Sequence, residues 1–159
     1  ERFYNIFSSA FSKILIFMLS ASVFIFIFRD LIVRIILKTG SFSPTDANLT
    51  SACLGALSIG LFAQSLTLLT TKAFYAIHNT ITPAIASIMA LVVNVILAVS
   101  FVKLFSSTNV FSTTINSFFN LSPSGANQVV GLALAFSFSS IIQFIFLQIF
   151  FRIKVKKVF

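Results

Sequence analysis

The sequence predicts an all-α integral membrane protein with four transmembrane helices. Three observations predict it. Of 159 residues, 58% are apolar and only 9% charged, against about 25% charged in an ordinary soluble domain. Phenylalanine occurs 22 times and tryptophan never. Four stretches each reach the roughly 20 mostly apolar residues that carry a helix across hydrocarbon. A water-soluble fold of this size could not hide so much apolar surface. A soluble enzyme is thereby excluded, and lipid is the solvent.

The first span is 11–28, FSKILIFMLSASVFIFIF. It ends on Arg29 and Asp30 with no small-residue cleavage site, unlike a signal peptide. Residues 29–38 place Arg29, Asp30, Arg34 and Lys38 among Leu and Ile. That pattern fits either a short interfacial helix or the charged end of the span. Gly40 permits the turn that stops the helix.

Ser43-Pro44-Thr45-Asp46 has the S-x-x-D spacing of a capping box with proline at the first helical position. The second helix is expected to begin there and run to about Ile77, with its span at 47–72. At 1.5 Å per residue it outruns the bilayer and must tilt or protrude. Asn79 is expected in the left-handed conformation after its end. Thr82 and Pro83 should then cap the third helix, with its span at 84–105. The tight turn from His78 to Thr82 predicts that helices two and three are antiparallel neighbours.

The stretch 106–125 changes character: twelve of its twenty residues are Ser, Thr or Asn, and it ends in Pro123-Ser124-Gly125. It reads as a polar, exposed loop, with the fourth helix starting near Ala126 and spanning 129–151. The whole of 1–159 is thus one membrane-embedded segment. It begins with Glu1 rather than Met, as a piece of a longer protein would.

The formal charge is +8. The basic residues sit at the ends of apolar runs, with a cluster at Arg152, Lys154, Lys156 and Lys157, which suits a membrane surface rather than the one-sided basic face of a nucleic-acid binder. No nucleic-acid partner is expected. Seven basic residues fall on the side of the termini and four on the other, so the positive-inside rule puts both termini in the cytoplasm.

Little in the chain could do covalent chemistry. Asp30 and Asp46 lie at helix ends and Glu1 at the terminus. His78, the single histidine, has no Cys, Asp or Glu beside it in sequence and is not a metal ligand. Cys53 lies in an apolar stretch and reads as a packing residue. No enzyme, metal site or cofactor is predicted.

What remains is packing and a few polar groups in the spans. Ala52, Ala56 and Gly60 recur every four residues, as do Ala86, Ala90, Asn94 and Ala98, and Gly131, Ala135, Ser139 and Gln143. Such faces let helices approach closely in lipid, or line a polar cavity. Gln64, Asn94, Gln143 and Gln148 should face protein or water, because an unsatisfied amide in hydrocarbon costs several kcal/mol. Lys72 either snorkels to phosphates or faces a cavity and meets an anionic substrate. Lys72, Gln64 and Asn94 are the cavity-lining candidates.

Two stretches carry a resemblance. Lys38-Thr39-Gly40-Ser41-Phe42, followed by Asp46 and Thr50, and Ala73-Phe74-Tyr75-Ala76, followed by Asn79-Thr80-x-Thr82-Pro83, resemble motifs of the bacterial lipid II flippases, the MurJ/MviN family. Gly131-Leu132-Ala133-Leu134-Ala135 is similar to the start of a later helix of that family. The resemblance implies helices nine to twelve of a fourteen-helix protein of the bacterial inner membrane, in its C-terminal lobe, with both ends of this chain cytoplasmic.

It further implies outward movement of the undecaprenyl-linked peptidoglycan precursor by alternating access, with no covalent chemistry. The partners would be that lipid-linked precursor, membrane lipids and the missing N-terminal lobe. The residues credited with holding the pyrophosphate lie outside this chain. Of three positions in the family's cation site, Asn94 keeps its asparagine. Ala98 replaces an acid or amide and Phe136 a threonine, which argues against sodium binding. Two alternatives stay open: another polyprenyl-linked saccharide exporter of the same superfamily, and a four-helix membrane scaffold that transports nothing.

Overall fold

Each apolar run folds as one unbroken helix. The computed structural model describes residues 2–37, 43–106 and 128–158. They form α1 (Arg2–Leu37), α2 (Pro44–Ala76), α3 (Ile81–Ser106) and α4 (Gln128–Val158). All four are long and apolar enough to cross a membrane. In lipid a helix is the natural outcome, because it satisfies every backbone group within its own segment. α1 continues without a break through Arg29, Asp30 and Arg34, so the charged stretch is the end of the first helix and not a separate interfacial one. At 36 and 33 residues, α1 and α2 reach about 54 and 50 Å at 1.5 Å per residue, well beyond a hydrocarbon core of about 30 Å. Lys38, Gly40, Phe42, 107–125 of the predicted polar loop and Ala126, the expected start of the fourth helix, lie outside the described residues; Ser106 closes α3.

The lateral order is α1, α2, α4, α3. In α2 and α4, 39% of the apolar span is buried in protein, against 6% in α1 and α3. The two middle helices therefore face neighbours, while most of the outer two is left uncovered by this chain. Contacts fix the directions. Ser22 and Asp30 of α1 meet Ser58 and Ser51 of α2, so these helices are antiparallel. Ser139 and Gln143 of α4 meet Ala90 and Ser87 of α3, again antiparallel. Ala56 and Phe74 of α2 meet Ser137 and Phe151 of α4, and these two run parallel.

This order overturns the expected pairing of helices two and three, which make little contact along their lengths. The reason is the small-residue face of α2. Ala52, Ala56 and Gly60 are buried, and they admit α4 so closely that α3 is held away. Two apolar clusters fill the seams. One gathers Ala52, Ala56, Phe105, Val130, Ala133 and Leu134. The other gathers Ala73, Phe74, Ala86, Leu147 and Phe151, with Phe7 against them.

The helix ends show how local chemistry sets the boundaries. Ser43 is the N-cap of α2. Its hydroxyl accepts from the Thr45 N–H at 3.3 Å and pairs with the Thr45 hydroxyl at 2.6 Å, so the cap closes on the second helical residue rather than the third. At the other end, the Asn79 N–H donates to the Phe74 carbonyl and the His78 N–H to the Tyr75 carbonyl, both at 3.0 Å. That is a Schellman motif. It puts His78, not Asn79, at φ 56°, because His78 is the residue just past the cap.

α3 starts at Ile81, three residues before the expected span. Its cap is Asn79, whose Oδ1 accepts from the Thr82 N–H at 3.3 Å while its Nδ2 donates to the Thr82 hydroxyl at 2.9 Å. Pro83 is tolerated in the first turn because its missing N–H would have no intrahelical partner there.

Candidate functional site

α2 carries an exposed stripe on an otherwise packed helix. Eleven of its residues are buried against neighbours, yet Leu57, Gln64, Leu68, Lys72 and Tyr75 are exposed. Their spacing of seven, four, four and three draws one stripe along the helix. Gln64 and Lys72 share it about 12 Å apart, two turns at 1.5 Å per residue. A cation and an amide thus line an otherwise apolar strip on a helix that sits in the middle of the bundle.

Asn94 lies elsewhere. It lines a groove of about 400 Å³ between α3 and α4, with Ala90, Leu91 and Val95 on one wall and Phe136, Ser139, Ser140 and Gln143 on the other. The groove's other polar groups are engaged. The Ser139 hydroxyl donates to the Ala90 carbonyl at 2.7 Å, the Ser140 hydroxyl to the Phe136 carbonyl at 2.8 Å, and Gln143 Nε2 to the Ser87 hydroxyl at 3.4 Å. The second and third small-residue series therefore oppose each other across one seam. Phe136 brings a ring to that groove, and Ala98, one turn beyond Asn94 and outside the groove's lining, carries only a methyl group. The three positions named for a cation supply one side-chain oxygen between them, far short of the shell a hard cation requires.

The second motif is architecture as far as Pro83. Phe74 is fully buried and meets Phe151 edge to face at 5.3 Å. Tyr75, next in sequence, points outward and is 52% exposed. Asn79 and Thr82 form the reciprocal cap, the Thr80 carbonyl accepts from the Ala84 N–H at 3.4 Å, and Thr82 and Pro83 are buried. From the first motif, Asp46 stands in the first turn of α2, where its charge opposes the helix dipole favourably. Its hydrogen-bonding carbonyl accepts from the Thr50 hydroxyl at 2.8 Å.

Two features escaped the sequence. Ser22 donates to the Ser58 carbonyl and Ser137 to the Ala56 carbonyl at 2.7 Å; with Ser139, a serine hydroxyl joins each adjacent pair of helices. Their signal was only a serine within an apolar helix. Asp30, expected at a helix end, accepts from Ser51, and the neighbouring Arg29 guanidinium stands 4.9 Å from the Phe26 ring centroid. Cys53 packs against the first apolar cluster.

Comparison with known proteins gives these features a setting. One relative, a probable lipid II flippase MurJ of Treponema pallidum (strain Nichols), is 28% identical over 98 residues, covering 62% of this chain and 19% of the relative. The chain thus spans about a fifth of the length of the curated relative it matches. No solved structure matches. The model of the lipid II flippase MurJ family matches residues 1–109, which takes in α1, α2, α3 and the whole of both motifs. A multi-pass membrane chain matched over that extent belongs to the lipid II flippase MurJ family.

Proposed function

We propose that this chain forms part of a lipid II flippase, which translocates the undecaprenyl-linked peptidoglycan precursor across the bacterial inner membrane by alternating access. The observation that carries this reading is the family match through α1, α2 and α3. In this reading the four helices belong to the C-terminal lobe, and both ends of the chain are cytoplasmic, which the distribution of basic residues supports.

The exposed stripe of α2 is then the part that faces the translocation path. Lys72 offers a compact, strongly hydrated cation to the precursor's pyrophosphate. Gln64, two turns along, can donate to and accept from sugar hydroxyls. Rocking requires that the lobe move as a body, and the serine bonds between adjacent helices, together with the close α2–α4 seam, suit that demand. No bond in the substrate is made or broken.

The test is rescue of cells depleted of their own flippase by the intact gene, with lipid II exposure on the outer face as the readout. Wild type should restore growth and exposure. Lys72→Ala should restore neither fully while reaching the membrane at the wild-type level. An intact gene that supports no lipid II exposure at wild-type abundance would remove the reading.

A further inference from the structure

The cleft between the first turns of α1 and the last turns of α4 belongs to neither the α2 stripe nor the Asn94 groove. Phe7, Ser8 and Phe11 of α1 and Gln148, Phe151 and Arg152 of α4 line about 110 Å³ there. That is room for more than one water, whose share of liquid volume is about 30 Å³. Its position is the end of the apolar span of α4, which runs from Gln128 to Lys154, so the cleft opens where acyl chains give way to headgroups.

Its chemistry is unusual for that depth. Gln148 Oε1 is closed to solvent and has no hydrogen-bond partner. A buried acceptor left without a donor keeps its desolvation penalty uncompensated, and a ligand carrying a donor would recover it. Arg152, one turn further along α4, is exposed and offers a planar fork suited to phosphate oxygens. The Ser8 hydroxyl stands on the rim. The walls are aromatic: the Phe7 and Phe151 rings are 4.6 Å apart, and deeper in the same seam Phe11 and Phe144 stack at 6.2 Å.

The geometry points to a binding site for the headgroup of one anionic, hydroxyl-bearing phospholipid, of the phosphatidylglycerol type. The phosphodiester meets the Arg152 guanidinium, a glycerol hydroxyl donates to Gln148 Oε1, and the glyceride backbone lies against the three phenylalanines with its acyl chains descending along the α1–α4 seam. A choline headgroup has no donor for Gln148. An ethanolamine headgroup brings an ammonium toward Arg152 and is repelled. A free phosphate uses the guanidinium but leaves the rings uncovered. The site holds a lipid that seals the seam between the first and last helices of this chain.

Native mass spectrometry of the intact protein, purified in detergent and titrated with phosphatidylglycerol, phosphatidylethanolamine or phosphatidylcholine, tests this. Wild type should retain one phosphatidylglycerol in preference to phosphatidylcholine. Arg152→Gln and Gln148→Leu should each weaken that retention about tenfold, the size of one hydrogen bond to a charged or buried partner. Gln148→Glu, nearly the same shape, should weaken it at least as much by adding a negative charge. Lys154→Gln removes an exposed charge two residues on, outside the cleft, and should leave it unchanged. Circular dichroism and elution volume identical to wild type show that each variant is folded. Equal retention of the three lipids, full retention by Arg152→Gln and Gln148→Leu, or displacement of the lipid by millimolar inorganic phosphate would each overturn the assignment. Full retention by Gln148→Leu alone would likewise overturn the assignment, because the headgroup hydroxyl is what singles out this lipid.

Discussion

Gly60 of α2 and Ser137 of α4 meet so closely that a Cβ on Gly60 would fall 2.8 Å from the Ser137 Cα. The obstacle is backbone, which no rotamer change relieves. In lipid, where hydrocarbon outside is as apolar as the protein inside, this kind of approach is what holds helices together. Gly60→Ala should therefore separate the two middle helices and cost about 1–3 kcal/mol, the usual range for overpacking. Thermal unfolding in detergent measures it. A variant as stable as wild type would mean that α2 and α4 stand further apart than described.

Ser137 donates to the Ala56 carbonyl at 2.7 Å beside that contact. Ser137→Ala should cost less than Gly60→Ala, about 0.6 kcal/mol, the average for hydrogen bonds between membrane helices. The Ala56 carbonyl keeps its helical partner when the hydroxyl goes, so nothing is left orphaned. The same unfolding assay, run on both variants, ranks packing above hydrogen bonding at this seam.

His78 adopts φ 56° at the end of α2. A side chain with a Cβ pays roughly 1–2 kcal/mol for that conformation, and glycine pays almost none. His78→Gly should raise the unfolding midpoint, and His78→Val should lower it. If both variants behave alike, the turn does not hold His78 in the left-handed region.

Phe74 is fully buried between α2 and α4, with Phe151 edge to face at 5.3 Å. In a soluble core Phe→Ala costs about 3–5 kcal/mol. In lipid the transfer part of that cost falls away, leaving lost contacts and the aromatic pair, about 2 kcal/mol. Phe74→Leu should recover more than half, as read by unfolding in detergent. Tyr75→Ala, at an exposed position, should change stability by less than about 0.5 kcal/mol.

Lys72 makes a different kind of prediction. It is exposed on α2, so Lys72→Ala should leave the unfolding midpoint within about 0.5 kcal/mol of wild type while lowering lipid II exposure in rescued cells. Loss of stability and rescue together would make Lys72 a folding residue.

The four helices were legible because their signal is one-dimensional: an apolar run of sufficient length needs no knowledge of its neighbours. The faces were legible too. Ala52, Ala56 and Gly60 were singled out by spacing and are buried together. Helix order was not, because pairing depends on which small face meets which. A short turn joins α2 to α3, yet α4 lies beside both. The left-handed residue was misplaced by one position for a related reason: asparagine favours that conformation, but the Schellman bonds choose the residue by its place after the cap. Of the candidate polar groups, Gln64 and Lys72 share a face by their spacing. That Asn94 lies with Ser139 and Gln143, on another helix some fifty residues away, required the fold.

The order α1, α2, α4, α3 has a consequence for how the chain is made. α2 enters the membrane well before α4 exists, and it is α4 that lies against the Gly60 face. Until the fourth helix leaves the ribosome, the small-residue groove of α2 stands open to lipid, with the Ala56 carbonyl lacking its serine. The small-residue face of α2 is therefore closed only by a helix made two spans later. A nascent chain stalled after α3 would expose an unfilled seam, a physical mark by which membrane proteases can tell a chain lacking α4 from one that has packed it.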